Sequence, residues 1–350
     1  MLEGRRRIGI LTGGGDCPGL NAAIRATAKT AFAMNYEVVG IRDGWEGLLY
    51  GKTEVLDGIK TSGIIDRGGT ILGTSRTSPL QAEDGPKKVF GTFKELGLQA
   101  LVVLGGDGTL SATTKLFEMG LPVVGIPKTI DNDVEGTDYA IGFQTAVQIA
   151  VDALDRLRST AASHHRVMIL EVMGHHAGWI ATFAGMCSGA DAILIPEIAM
   201  DEERIERLCR MLEKRNSIGM SFSIVVVAEG TVLEGKAVMK PSSYTESVGE
   251  SPRIGGVGQI LSGLIEKETH LETRVSSLDY IQRGGIPVAY DRSLATAFGI
   301  KAMELVKRGK YGQMAALTGN RIVGLPLAKV AGRIKTVDLA VYRRAAKFFG

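Results

Sequence analysis

The sequence predicts an α/β protein built as two doubly wound lobes with mainly parallel sheets, and three observations carry that prediction. Short apolar runs rich in Val and Ile alternate along the chain with amphipathic stretches, the pattern of parallel strands joined by crossover helices. Glycines gather in short clusters, at Gly13-Gly14-Gly15, Gly68-Gly69, Gly105-Gly106 and Gly284-Gly285, and glycine pairs at strand ends allow close backbone approach to a ligand. The 350 residues suffice for two domains, each with its own core.

The strands expected from these runs are Ile8–Leu11, Glu37–Ile41, Ala100–Leu104, Leu121–Ile126, Arg166–Val172, Ala190–Ile195 and Ser223–Ala228. Among the helices the clearest runs from Phe143 to Arg158. Phe143, Val147, Ala150, Val151, Leu154 and Leu157 share one face of it, opposite Asp152, Asp155, Arg156 and Arg158. Residues 230–258 are polar and carry Pro241, Pro252 and several Gly and Ser, which predicts a long connecting loop. In open α/β sheets ligands bind at the carboxyl ends of the strands, so chemistry is sought where the strands end.

Composition narrows the classes. A net charge of +3 and no long basic run argue against nucleic acid as a partner. No apolar run reaches the ~18 residues of a membrane span, and "MLEGRRRIGIL" passes from basic residues straight into a strand without a signal peptide's apolar stretch. Cys17, Cys187 and Cys209 are odd in number and scattered, which argues against disulfides and zinc motifs. A cytoplasmic enzyme is the expectation.

Three strand exits carry chemistry. "ILTGGGDCPGLNAAIRA" (10–26) takes a strand through a glycine loop into a helix, so backbone N–H groups can face a phosphate. Pro18 stands where a dinucleotide fingerprint needs its third glycine, so that motif is absent; a plain glycine turn is the alternative. "LVVLGGDGTL" (101–110) places Asp107 after two glycines, with a helix expected from about Thr109. Asp107 suits a Mg²⁺ that bridges donor phosphates, against the plainer role of a helix cap. "GIPKTIDND" (125–133) delivers Lys128, Thr129, Asp131 and Asp133 to one strand end. A hydroxyl attacking a phosphoryl group needs a carboxylate to take its proton, and the phosphates need a cation.

Arg76, Arg166, Arg274 and Arg283 add guanidinium forks that match phosphate oxygens, although a single arginine is more often a surface ion-pair partner. Four of five histidines form two pairs, His164-His165 and His175-His176. Their spacing and the lack of neighbouring Cys favour loop histidines near an anion over a zinc site.

Taken together, "GGDCPGLNAAIR", "RGGTILGTSR", "GGDGT", "PKTIDND", "GTDYAIGFQTA", "SHHR", "EVMGHHAG", "VVVAEG" and "ETRVSSLDYIQRGGIPVAYDR" resemble the 6-phosphofructokinase family, in order and over nearly the whole chain. The resemblance implies Mg²⁺-dependent phosphoryl transfer to the 1-hydroxyl of fructose 6-phosphate, a step of glycolysis. It implies a donor-binding lobe of residues 1–142 plus 282–332 and a sugar-phosphate-binding lobe of 143–281 plus 333–350. Asp131 matches the family's general base and Asp107 its Mg²⁺ site; Asp133, read from its place on the same strand exit, is expected to act on the metal through water. Gly15, Arg76, Gly106, Asp107, Gly108 and Thr109 match the donor site. Thr129, Met173, Gly174, Glu229, Tyr280 and Arg283 match the sugar-phosphate site. Arg166 and Arg274 match residues that reach a neighbouring subunit's substrate, which implies a homo-oligomer, usually a tetramer.

Departures from the family pattern are specific. His175 stands where an arginine commonly contacts the transferring phosphate, and it is shorter and only partly protonated near neutrality. Tyr280 replaces a common histidine; its phenol can still hydrogen-bond a sugar phosphate, and a tyrosine there is similar to the pyrophosphate-using branch. Gly58, Met220 and Phe222 occupy basic positions of the bacterial effector pocket, which argues against a phosphorylated effector there. Two positions bear on the donor and point opposite ways. Gly108 leaves room for a nucleotide's α-phosphate, where pyrophosphate-dependent relatives typically carry Asp; Lys128 is similar to the pyrophosphate branch. ATP is the expected donor, because a lysine serves either while a bulky acid excludes one, with pyrophosphate the alternative. A lipid or NAD kinase would share GGDGT but lack PKTIDND and IQRGG. A non-catalytic sugar-phosphate sensor is the alternative outside enzymes, motivated by His175 and opposed by Asp107, Asp131 and Asp133.

Overall fold

The computed structural model describes residues 6–234 and 256–350. Most of the loop expected at 230–258 therefore lies outside the described residues. The chain divides into two compact units, Met1–Thr145 with Arg283–Lys335 and Ala146–Gln282 with Thr336–Gly350.

In the first unit the elements run β1 (Arg6–Thr12), α1 (Leu20–Ala33), β2 (Tyr36–Ile41), α2 (Trp45–Tyr50), β3 (Thr53–Leu56), α3 (Gly85–Glu95), β4 (Leu98–Gly105) and α4 (Asp107–Glu118). Next come β5 (Val123–Thr129) and β6 (Ile141–Gly142), and α5 (Phe143–His164) carries the chain into the second unit. That unit continues with β7 (Val167–Val172), α6 (Trp179–Ser188), β8 (Ala192–Leu194), α7 (Glu202–Ser217) and β9 (Ser223–Ala228). After the undescribed segment come α8 (Val257–Thr269), β10 (Thr273–Ser277) and a 3₁₀ turn, Asp279–Arg283. The chain re-enters the first unit for α9 (Ala289–Lys307), β11 (Gln313–Thr318) and β12 (Arg321–Pro326), and α10 (Leu339–Ala346) closes the second.

The first unit's sheet has the order β12-β11-β5-β4-β1-β2-β3, with β6 added beside β5. Neighbours are parallel except β2–β3 and β11–β12. Side chains alternate across it. Leu11, Ile41, Leu101 and Val103 face a buried cluster with Trp45 and Leu48 of α2, Val89 of α3 and Leu110 of α4. Helices α1 and α9 pack against each other, so tightly that a Cβ on Gly299 would lie 2.8 Å from the Thr27 backbone nitrogen. The second unit holds an all-parallel sheet, β10-β7-β9-β8. Val167, Ile169, Val225 and Val227 pack there on Leu208 and Leu212 of α7 and Leu261 and Ile265 of α8.

Local signals explain several boundaries. Helix α7 begins after Asp201, whose carboxylate accepts from the Arg204 N–H at 2.8 Å, with Glu202 and Glu203 in the first turn and Lys214 and Arg215 in the last. Helix α5 is capped from elsewhere. Buried Asp291 of α9 accepts from the Gly142 N–H (3.1 Å), the Thr145 N–H (2.8 Å) and the Thr145 hydroxyl (2.5 Å).

The sequence expectations are corrected at four places. Strand β5 ends at Thr129, not Ile126, so Lys128 and Thr129 lie inside it. Pairing with β11 stops at Gly125 and pairing with β6 starts at Lys128, so Pro127 sits opposite β4 alone, where the partner on the other side changes. Helix α4 starts at Asp107 rather than Thr109, placing that carboxylate in the first turn. Helix α5 runs past Arg158 to His164. Strand β7 starts at Val167, so Arg166 stands just before it.

Candidate functional site

Sheet order brings the three predicted exits together. Strands β5, β4 and β1 are consecutive neighbours, spaced ~4.8 Å apart, and all parallel. Their carboxyl ends therefore deliver Lys128–Asp131, Gly106–Thr109 and Gly13–Gly15 side by side.

Contacts among them are close. A Cβ on Gly13 would lie 2.9 Å from the Thr109 methyl, and one on Gly14 would lie 3.4 Å from the Thr109 hydroxyl and 3.6 Å from Lys128 Nζ. The Gly13 N–H donates to the Leu104 carbonyl (2.9 Å) and the Gly14 N–H to the Ser75 carbonyl (3.0 Å), while the Thr74 hydroxyl donates to the Gly14 carbonyl (2.6 Å). Those two bonds strap the segment leading to exposed Arg76 onto the glycine loop. Gly108 differs, since a Cβ there would meet nothing within 4 Å.

Lys128 is buried, 3% exposed, and its ammonium donates to the Gly15 carbonyl. Burial pushes its pKa below the ordinary lysine range; Arg283 adds to this, while Asp131 and Asp16 oppose it. Arg283, from the 3₁₀ turn, lies against Gly15 so closely that a Cβ on that glycine would collide with Nη1. Its Nε is enclosed and donates to no group among the described residues.

Asp131 follows β5. Its N–H donates to the Thr129 hydroxyl at 3.1 Å, and that hydroxyl lies 3.5 Å from Oδ2. Oδ1 is enclosed and accepts from no group among the described residues. Burial raises the Asp131 pKa above the ordinary carboxylate value, against the opposing pull of Arg283, Lys128 and the Thr129 hydroxyl. The turn continues through Asn132, left-handed at φ 53°. The Asn132 amide donates to the Asp138 carbonyl (3.1 Å) and its oxygen accepts from the Ala140 N–H (2.9 Å).

Asp107 accepts a long hydrogen bond from the Ser111 hydroxyl at 3.4 Å. No group of three or more His, Cys, Asp or Glu converges among the described residues. A half-exposed carboxylate beside the glycine loop fits Mg²⁺, which binds through one or two carboxylates plus substrate phosphates and water.

In the second unit the exits of β7 and β9 meet. Glu229 follows β9, and its Oε1 accepts from the N–H groups of Gly174 (3.3 Å) and His175 (3.0 Å), so Glu229 holds the turn Met173–His175 in shape. His175 has φ 52° and stacks edge-on against His176, ring centroids 4.0 Å apart. A Cβ on Gly230 would strike the His175 carbonyl, so that position requires glycine. Tyr280 is exposed in the 3₁₀ turn after β10.

Arg166 and Arg274 are not with these residues. They flank the amino-terminal ends of β7 and β10, roughly 20 Å along the strand from Met173 by strand rise. One carboxylate, Glu272, pairs with both, through Oε2 to Arg166 (2.8 Å) and through Oε1 to Arg274. The two guanidiniums are thereby held side by side. Sequence reasoning missed Glu272 and Asp291, because a carboxylate that pairs across chain segments leaves no local spacing.

The phosphofructokinase family model matches residues 7–306. The chain belongs to the phosphofructokinase family. It is 48% identical to a pyrophosphate–fructose 6-phosphate 1-phosphotransferase of Streptomyces coelicolor, over 98% of this chain and 100% of the relative. It is 46% identical to an ATP-dependent 6-phosphofructokinase of Chloroflexus aurantiacus, over 96% of this chain and 94% of the relative. Among solved structures it is similar to the phosphofructokinase of Saccharomyces cerevisiae, with TM-score 0.80 and 31% identity over 93% of this chain and 45% of the yeast chain, so it spans less than half of that protein. No helix of the described residues is long and apolar enough to cross a membrane.

Proposed function

We propose that this phosphofructokinase transfers a phosphoryl group to the 1-hydroxyl of fructose 6-phosphate, with Asp131 as general base and ATP as the favoured donor. The observation that carries the reading is Asp131 Oδ1: an enclosed carboxylate oxygen without a donor among the described residues, within the field of two cations, suits a proton arriving from a substrate hydroxyl. Thr129 orients that carboxylate. Lys128 and Arg283 offer positive charge at the glycine loop, where transferring phosphates would lie. Gly15, Arg76, Gly106, Gly108 and Thr109 would cradle the donor. Mg²⁺, held by Asp107 and through water by Asp133, would neutralise charge on the donor phosphates. Met173, Gly174, His175, Glu229 and Tyr280 would bind the sugar phosphate.

Gly108 favours ATP. The space where its Cβ would be is open, so the fold does not demand glycine and the room is available to an α-phosphate. Pyrophosphate is the second reading, supported by Lys128 and by the donor named for the Streptomyces relative. Incubation with fructose 6-phosphate, Mg²⁺ and either donor should yield a sugar with a second phosphate on C1, read by ³¹P NMR. No such product with either donor would contradict the reading.

The base has a pH signature. Asp131 works only ionised, and its pKa is raised, so the acid limb of kcat/KM should lie above the ~3.9 of an unperturbed aspartate. An acid limb at or below that value would remove Asp131 from the role.

Arg166 and Arg274 support a shared-site homo-oligomer, a tetramer by family resemblance. Two guanidiniums fixed by Glu272 at the sheet end away from Met173 suit the phosphate of a substrate bound by a second copy. Co-expressed Asp131→Asn and Arg274→Ala chains should therefore regain activity that neither shows alone. A mixture as inactive as its parts would contradict sharing.

A further inference from the structure

We propose that Lys335 is a positioning residue whose ammonium acts as a built-in monovalent cation, bound by the carbonyls of the loop that follows the base Asp131. The proposal rests on the reading of Asp131 above. Lys335 Nζ donates to the Thr137 carbonyl at 2.8 Å and to the Asp138 carbonyl at 2.9 Å. Backbone carbonyls with nearby carboxylates are the donor set that otherwise takes K⁺ or ammonium. Here Asp133, Glu135 and Asp138 supply that negative surround.

The link to the base is short. The Asp138 carbonyl accepts from both Lys335 and the Asn132 amide, and Asn132 is the left-handed residue next to Asp131. The ammonium thus braces the partner of the clamp that sets the turn. Other contacts hold the surrounding chain without it. The Lys335 N–H donates to the Asp133 carbonyl (2.8 Å), Val134 bridges Ile334, and the Val134 side chain is fully buried. The Thr137 hydroxyl accepts from the Leu317 N–H, and the Asp138 carboxylate from the Gly319 N–H. Removing the amine should leave this scaffold folded while the turn loses its brace.

The test is chemical rescue of Lys335→Met in the full-length chain. Its kcat should fall about tenfold or more, since small misplacements of a catalytic group are costly, with KM for fructose 6-phosphate little changed. Ammonium or K⁺ should restore most of that loss, whereas tetramethylammonium at equal ionic strength should not, being too large for two carbonyls. Wild-type turnover should not respond. A kcat close to wild type, or a loss that neither ammonium nor K⁺ repairs, overturns the proposal. If the Met variant does not fold, Lys335→Arg, which keeps charge and donors, should retain activity; its failure in a folded protein also overturns it. An inactive wild type would instead sink the reading of Asp131.

Discussion

Asp131→Asn is expected to lower kcat by about 10²-fold or more while fructose 6-phosphate still binds and the melting temperature at neutral pH does not fall. The first half follows from loss of the proton acceptor, the second from the cost of the buried charge. Burial makes the charged carboxylate unfavourable in the folded chain even with Lys128 and Arg283 beside it, which is why its pKa is raised. Between the unfolded pKa and the raised folded one, the folded state binds more protons, so stability falls as pH rises through that window. At neutral pH the ionised group is a cost to the fold, and a neutral isostere relieves it. A purely structural aspartate would give the opposite result, near-normal turnover with a lowered melting temperature. Calorimetry beside steady-state kinetics separates the two.

Gly108→Asp is expected to change donor rather than fold. Its Cβ would enter open space in the first turn of α4, where an acid complements the helix dipole. Glycine within a helix costs roughly 0.5–1 kcal/mol relative to alanine, so the variant should melt no lower than the parent. A carboxylate there would crowd and repel a nucleotide's α-phosphate but leave pyrophosphate, which lacks the nucleoside, able to bind. Turnover with ATP should fall by ~10-fold or more, as a close like-charge contact implies, while pyrophosphate turnover is kept or rises. Equal loss with both donors would show that position 108 acts on the reacting phosphates themselves.

Much of the site was legible because its parts lie in short, contiguous runs. The glycine loop, Gly106–Thr109 and Lys128–Asp131 each follow an apolar strand, and the parallel order β5-β4-β1 makes neighbours of residues far apart in sequence. Sequence reading misjudged the end of β5 because Pro127 reads as a strand terminator. In fact the pairing changes partner at that residue, which only the register reveals. The antiparallel strands β3 and β12 also escaped notice; half-exposed edges lack the apolar runs that mark buried strands. The resemblance assigns Arg283 to the sugar phosphate, and its guanidinium also lies against Gly15 of the donor loop in the same unit. The Glu272, Asp291 and Lys335 contacts join residues across the chain by one side chain each, and no periodicity announces them.

Relatives of 48% and 46% identity carry different donors in their names, so overall similarity does not choose between them. The most direct measurement is kcat/KM of the wild-type chain for ATP and for pyrophosphate, in parallel, with fructose 6-phosphate and Mg²⁺. Higher kcat/KM with ATP is predicted, the open space at Gly108 deciding and Lys128 assisting. Turnover with pyrophosphate alone would contradict the account and hand the choice of donor to Lys128.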